Sequence, residues 1–102
     1  MTGIDIVQLS RIRLDQPLIH RILTEKEQME YAELKTDRRR MEYLGGHFAA
    51  KEAIFKAAQD QSWLSYSILH EKNGRPYIDS HPDWQISIAH DGDYAIAIVI
   101  IP

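Results

Sequence analysis

Apolar and polar positions along the chain change their period near residue 60. Before that point the pattern is one strand followed by helices; after it, alternation dominates. Thr2 to Leu9 reads as a strand, with Ile4, Ile6 and Leu9 apolar and Gly3 allowing close backbone approach. Asp5 interrupts its apolar run. Ser10 to Pro17 is a basic, partly apolar connection, and Pro17 suits the first turn of a short helix through Leu23. Thr24-Glu25-Lys26-Glu27 is a capping box, which predicts a helix from about Glu25 to Leu34. Thr36 or Asp37 caps a long helix from about Arg38 to Ala58. Its apolar stripe is Met41, Leu44, Phe48 and Phe55, and Glu52 falls within roughly 50° of the stripe's centre. Gly45 and Gly46 lie inside this helix at ~1 kcal/mol each relative to Ala. Close packing of another backbone or room for a ligand would each explain them.

Beyond residue 60, Ser65–His70 and Arg75–Asp79 flank Asn73-Gly74, a hairpin signal. Gln85–His90 alternates, Asp91-Gly92 turns the chain, and Tyr94–Ile101 is apolar on both faces. Such a strand should be central or covered by another subunit. The order predicts an α+β domain over residues 1–102, with a small antiparallel sheet packed on a long helix.

Composition narrows the chemistry. There are 102 residues, 44% hydrophobic and 26% charged, which is ordinary for a globular protein. The absence of cysteine removes disulfides and thiolate metal sites. No run approaches the ~18 apolar residues that span a bilayer, and a soluble cytoplasmic protein is expected, with no membrane partner. The net charge of −3 is unevenly spread: residues 35–56 hold six Lys or Arg against three acids. That segment could face an anionic partner or be a solvated helix start.

Asp5 and Glu52 are the candidate chemical pair. Two carboxylates from a strand and a helix could hold one hard cation such as Mg²⁺, or each could pair with a basic side chain. The five His residues lack a paired helical spacing, so no zinc site is expected. Glu52 and Lys56 stand at i,i+4, as a surface ion pair or as a lysine for a phosphate beside the metal. Ser87 and His90 lie where a strand meets a turn and could contact one ligand. Arg38-Arg39-Arg40 has no accompanying aromatic RNA-binding motif, so no nucleic-acid partner is expected.

Taken in order, Gly3–Val7, Ile22–Gln28, Arg39–Ala57 with its Phe-Ala-Ala-Lys-Glu-Ala block, Asn73–Tyr77, and Ser87–His90 followed by Tyr94–Ile100 resemble the holo-acyl-carrier-protein synthase family of small trimeric phosphopantetheinyl transferases. The resemblance implies transfer of 4′-phosphopantetheine from coenzyme A to a serine of apo acyl carrier protein, with Mg²⁺ held by Asp5 and Glu52. It makes Lys56 an assistant near the phosphates. It leaves two acceptors for the serine proton, Glu52 or a water on the metal. It places His47, Lys56, Asn73, Gly74, Arg75, Pro76, Ser87 and His90 against coenzyme A. It places Arg11, Arg13, His20 and Arg21 against an acidic carrier protein, in a homotrimer with sites between subunits. Departures from the pattern are His47 where an Arg is usual, a shorter glycine-free stretch at Ala57–Trp63, a compact Val7–Ile22 region, and Ala89 for a common Ser. A non-catalytic module of the same fold, holding coenzyme A or an acidic protein, is the alternative.

Overall fold

The computed structural model describes residues 1–102. The order is β1 (Thr2–Gln8), a 3₁₀ turn (Leu9–Arg11), α1 (Gln16–Ile22), α2 (Glu25–Ala32), α3 (Asp37–Ala58), a second 3₁₀ turn (Trp63–Ser65), β2 (Ser67–His70), β3 (Pro76–Asp79), β4 (Gln85–Asp91) and β5 (Tyr94–Ile100). The caps explain the helix starts. Asp15 accepts from the Leu18 N–H at 3.0 Å, and Pro17 lies in that first turn. Both halves of the Thr24/Glu27 capping box form, and Thr36 rather than Asp37 caps α3.

The strands make two sheets, not one. β1, β5 and β4 are antiparallel in that order, while β2 and β3 form a separate hairpin. β5 is central, as its apolar sequence predicts, with Asp5 opposite Ala97 and Ile88 opposite Ala97 on the other side. Only one face of this sheet is covered. Ala95, Ala97 and Val99 turn inward, whereas Ile4, Ile6, Ile96 and Ile100 are exposed, Ile6 at 62%.

α3 packs on the sheet through a face the apolar stripe does not mark. The residues against the core are Gly46, Ala49, Ala50, Ala53, Ile54 and Ala57. On a helical projection their centre lies roughly opposite that of Met41, Leu44, Phe48 and Phe55. Small side chains let the sheet approach closely: a Cβ on Gly3 would stand 1.9 Å from the Ala53 carbonyl oxygen. The stripe itself covers a second cluster, in which Leu44 packs with Ile19, Ile22 and Leu23. α3 is therefore covered on two sides. Gly45 is explained by packing, since a Cβ there would meet a Leu9 methyl at 2.4 Å.

A charged cluster sits inside the fold. Lys51 and Glu27 are fully buried and 2.9 Å apart. Lys51 Nζ also donates to the Trp63 and Tyr66 carbonyls at 2.8 and 2.6 Å, which uses all three of its protons. Glu27 accepts from the Thr24 N–H and from the Ile68 N–H, each at 2.8 Å. One carboxylate thus joins α2, α3 and β2. Burial pulls the Lys51 ammonium below its ordinary range, against the attraction of Glu27.

Candidate functional site

Asp5 and Glu52 come together at the C-terminal half of α3. Gly3, Asp5 and Val7 share the face of β1 that lies against this helix, and Lys56 is one turn beyond Glu52. Lys56 Nζ donates to Asp5 Oδ1 at 3.1 Å and to the Ile4 carbonyl at 2.9 Å. The i,i+4 pair with Glu52 is not made; Lys56 reaches across to the strand instead. Glu52 has no hydrogen bond or ion pair within the chain and is half-buried. Burial, then the charge of Asp5, pushes its carboxyl up, partly offset by Lys56.

This donor set fits a hard cation. Both candidate groups are carboxylates, and one of them stands unpaired beside the other. No group of three or more His, Cys, Asp or Glu assembles there, so Mg²⁺ held by Asp5 and Glu52 would complete its octahedron with water and substrate oxygens.

Glu52 also lies on a groove of about 750 Å³ together with His20, Arg21, Phe55, Trp63 and Leu64. Two of the four residues expected at the carrier surface, His20 and Arg21, therefore share a cleft with Glu52. Arg11 and Arg13 are exposed elsewhere on the connection before α1, Arg13 3.4 Å from Asp15.

The residues expected against coenzyme A divide into other groups. His90 and Gly74 line a separate pocket of about 380 Å³ with Arg39 and His70. His90 Nε2 is 3.0 Å from the Glu42 carbonyl, and the missing Cβ of Gly46 leaves space for its ring. That pocket lies toward the N-terminal half of α3, roughly 15 Å along the helix from Glu52 and Lys56 at 1.5 Å per residue. Arg75, Pro76 and Ser87 line a third cleft, between the hairpin and β4. Asn73 Oδ1 accepts from the Arg75 N–H at 3.0 Å, which holds the turn while Gly74 takes φ +90°.

Two expectations are corrected. Ser87 and His90 point to opposite faces of β4, because Ser87 is paired with Ile98 and His90 with the inward Ala95. They do not meet one ligand within this chain. His47 is 1% exposed, with its ring nitrogens 2.9 and 2.8 Å from the Tyr43 and Ile68 carbonyls. It is held in the core beside Glu27, on the wall of the His90 pocket, with both ring nitrogens taken by carbonyls rather than free for a phosphate. Burial lowers its basicity, against the pull of Glu27.

Other features were not read from sequence. Of the arginine triplet, Arg38 is tied to Glu42 and the Gly92 carbonyl, and Arg40 to Asp37 and the Leu34 carbonyl. The Arg39 side chain alone makes no bond within the chain, and it lines the His90 pocket. The glycine-free stretch after α3 turns because Gln59 itself adopts the left-handed conformation, φ 58°. Asp60 then accepts from the Ser62 N–H at 2.9 Å and the Tyr66 hydroxyl at 2.6 Å.

Comparison with known proteins bears on this arrangement. The family model described as the 4′-phosphopantetheinyl transferase superfamily matches residues 1–99. A holo-[acyl-carrier-protein] synthase of Halalkalibacterium halodurans is 41% identical, covering 98% of this chain and 92% of that protein. Among solved structures, a holo-(acyl-carrier-protein) synthase from Bacillus anthracis in complex with CoA (3′,5′-ADP) superimposes with a TM-score of 0.83 at 33% identity, covering 96% and 91% of the two chains. The Helicobacter pylori synthase in complex with coenzyme A gives 0.82 at 27% identity, with both chains fully covered. The α+β fold is the one these synthases share. The chain belongs to the 4′-phosphopantetheinyl transferase superfamily and, within it, is an enzyme of the holo-[acyl-carrier-protein] synthase family.

Proposed function

We propose that this enzyme transfers 4′-phosphopantetheine from coenzyme A to a serine hydroxyl of apo acyl carrier protein, with Mg²⁺ at Asp5 and Glu52, and releases adenosine 3′,5′-bisphosphate. The observation that carries this reading is the unpaired Glu52 beside Asp5, at a groove that also carries Arg21 and His20. When bound, Mg²⁺ supplies positive charge against the diphosphate of coenzyme A. The serine oxygen attacks the phosphorus that bears the pantetheine arm. The bond from that phosphorus to the bridging oxygen breaks, and the bridging oxygen leaves with the nucleotide. Glu52, which has no partner within the chain, is placed to take the serine proton. Lys56, held by Asp5 and the Ile4 carbonyl, adds charge on the phosphate side. His90, Arg39 and the Asn73–Pro76 turn meet the nucleotide.

The same reading makes the enzyme a homotrimer. Within one chain the Lys56 corner and the His90 pocket are separate clefts, roughly 15 Å apart along α3. The two half-sites would meet between copies. The exposed Ile4, Ile6, Ile96 and Ile100 supply an apolar sheet face that such copies would cover.

Subunit mixing tests this. Glu52→Gln and His90→Ala should each be nearly inactive alone. Co-assembled in equal amounts, they should recover about a quarter of wild-type turnover, since one interface in four then pairs two intact halves. Activity no higher than the sum of the separate variants would place the whole site within one chain.

A further inference from the structure

His70 is the last residue of β2, and Glu30 of α2 holds it twice. Its backbone N–H donates to Glu30 Oε2 at 2.8 Å, and its ring Nδ1 lies 3.0 Å from Glu30 Oε1. The Tyr43 hydroxyl donates to that same Oε1 at 2.8 Å. Burial works to raise the Glu30 carboxyl, but these three bonds outweigh it and hold it below its ordinary range. Glu30 is therefore an acceptor only, and the proton of a neutral His70 ring must sit on Nδ1. Nε2 makes no bond within the chain, and His70 lines the His90 pocket with Arg39. The other groups around it are committed. Tyr43 and His47 stand with ring centres 5.8 and 5.7 Å away, and both His47 nitrogens are on carbonyls. Glu42 is paired with Arg38, and His90 Nε2 is on the Glu42 carbonyl.

We propose that His70 Nε2 is a proton-dependent contact for a phosphate of coenzyme A, supplying beside Arg39 the charge that the buried His47 cannot. This rests on the reading above, in which the pocket meets the nucleotide. The fixed tautomer makes the contact depend on protonation. With Nδ1–H committed to Glu30, a neutral ring presents a lone pair on Nε2. A phosphate oxygen is itself an acceptor and gains no bond there. One added proton turns the same atom into a charged donor. His70 thus binds phosphate only as the imidazolium, and an imidazole changes charge between about pH 5 and 8. The added affinity is present at low pH and is lost as pH rises. An apolar ligand gains nothing from that proton, whereas a phosphate beside Arg39 gains a charge-assisted bond.

The test is equilibrium binding to the full chain with Mg²⁺ present, from about pH 5.5 to about pH 8.5. Coenzyme A and dephospho-coenzyme A, which lacks the ribose phosphate, are titrated into the wild type, His70→Gln and His70→Arg. His70→Gln should weaken coenzyme A binding about tenfold at the acid end, as loss of one hydrogen bond to a charged group does, and by less than about twofold at the alkaline end. His70→Arg should match the wild type at the acid end and bind more tightly at the alkaline end. A penalty that dephospho-coenzyme A escapes supports a contact to the ribose phosphate; one that it shares supports a contact to the diphosphate. In the wild type, coenzyme A should move the titration of the His70 ring, followed by NMR, to higher pH, because proton and ligand favour each other reciprocally. A penalty equal at every pH would make His70 structural and overturn the proposal, as would coenzyme A binding that leaves the ring's titration in place. If the wild type binds no coenzyme A, the transfer reading fails as well; if it binds and His70→Gln is indifferent, only the His70 contact is removed.

Discussion

Glu52→Gln should lower carrier loading about a thousandfold while the protein stays folded. The size follows from removing a group that acts on charge developing at the reacting phosphate, where loss of one stabilising group costs about 10²–10³. Stability should barely change, because Glu52 has no partner inside the chain to lose. The sign of the small change is set by its titration. A carboxyl pushed up in the folded state makes folding bind more protons than the unfolded chain does. The wild type therefore loses stability as pH rises from the ordinary glutamate range through the raised folded value, and Glu52→Gln should lose that slope. At neutral pH the variant should be as stable as the wild type or slightly more so, within about 0.5 kcal/mol. Steady-state loading and urea titrations at several pH values check both halves. Near-normal turnover would remove Glu52 from the chemistry, and marked destabilisation would make it structural.

Lys51→Met should have the largest effect on stability, about 3–5 kcal/mol, the range found when one member of a buried ion pair is removed. Glu27 would remain fully buried without its cation, and the Trp63 and Tyr66 carbonyls would lose their donor. Set against a total of about 5–15 kcal/mol for a domain, such a loss leaves little. Removing the charge on both sides with Glu27→Leu should not restore stability. The Thr24 and Ile68 N–H groups would then be buried without their acceptor. Urea unfolding measures this, and a loss below about 1 kcal/mol in Lys51→Met would contradict the network's role.

The contrast between Glu52 and Lys51 shows what the sequence made legible. Both stand in one helix, side by side. Period and capping residues located the helix itself, the hairpin at Asn73-Gly74 and the central β5, because those signals are local. Asp5 and Glu52 were visible as carboxylates within apolar surroundings, and the structure brings them to one corner. Nothing along the chain marks Lys51 as buried, and the stripe of large side chains does not mark the face that packs on the sheet. The core face is built instead from Gly and Ala, whose small size lets the sheet approach, and hydrophobicity alone does not flag it. The partner of Lys51 is Glu27, which the capping box identified only as a helix start. Likewise Ser87 and His90 are close in sequence, but strand parity turns them to opposite faces of β4, and helix rotation puts the His47 ring in the core. Sites joined by such long-range geometry are fixed by tertiary packing, and no spacing along the chain reports them.

The most direct test of the account is the intact mass of apo acyl carrier protein incubated with this protein, coenzyme A and Mg²⁺, beside a control with EDTA. The account predicts a mass gain equal to one phosphopantetheine group that vanishes with EDTA. An unchanged carrier mass with the enzyme folded, across several carriers, would contradict the transfer reaction; a gain that persists in EDTA would contradict the metal at Asp5 and Glu52.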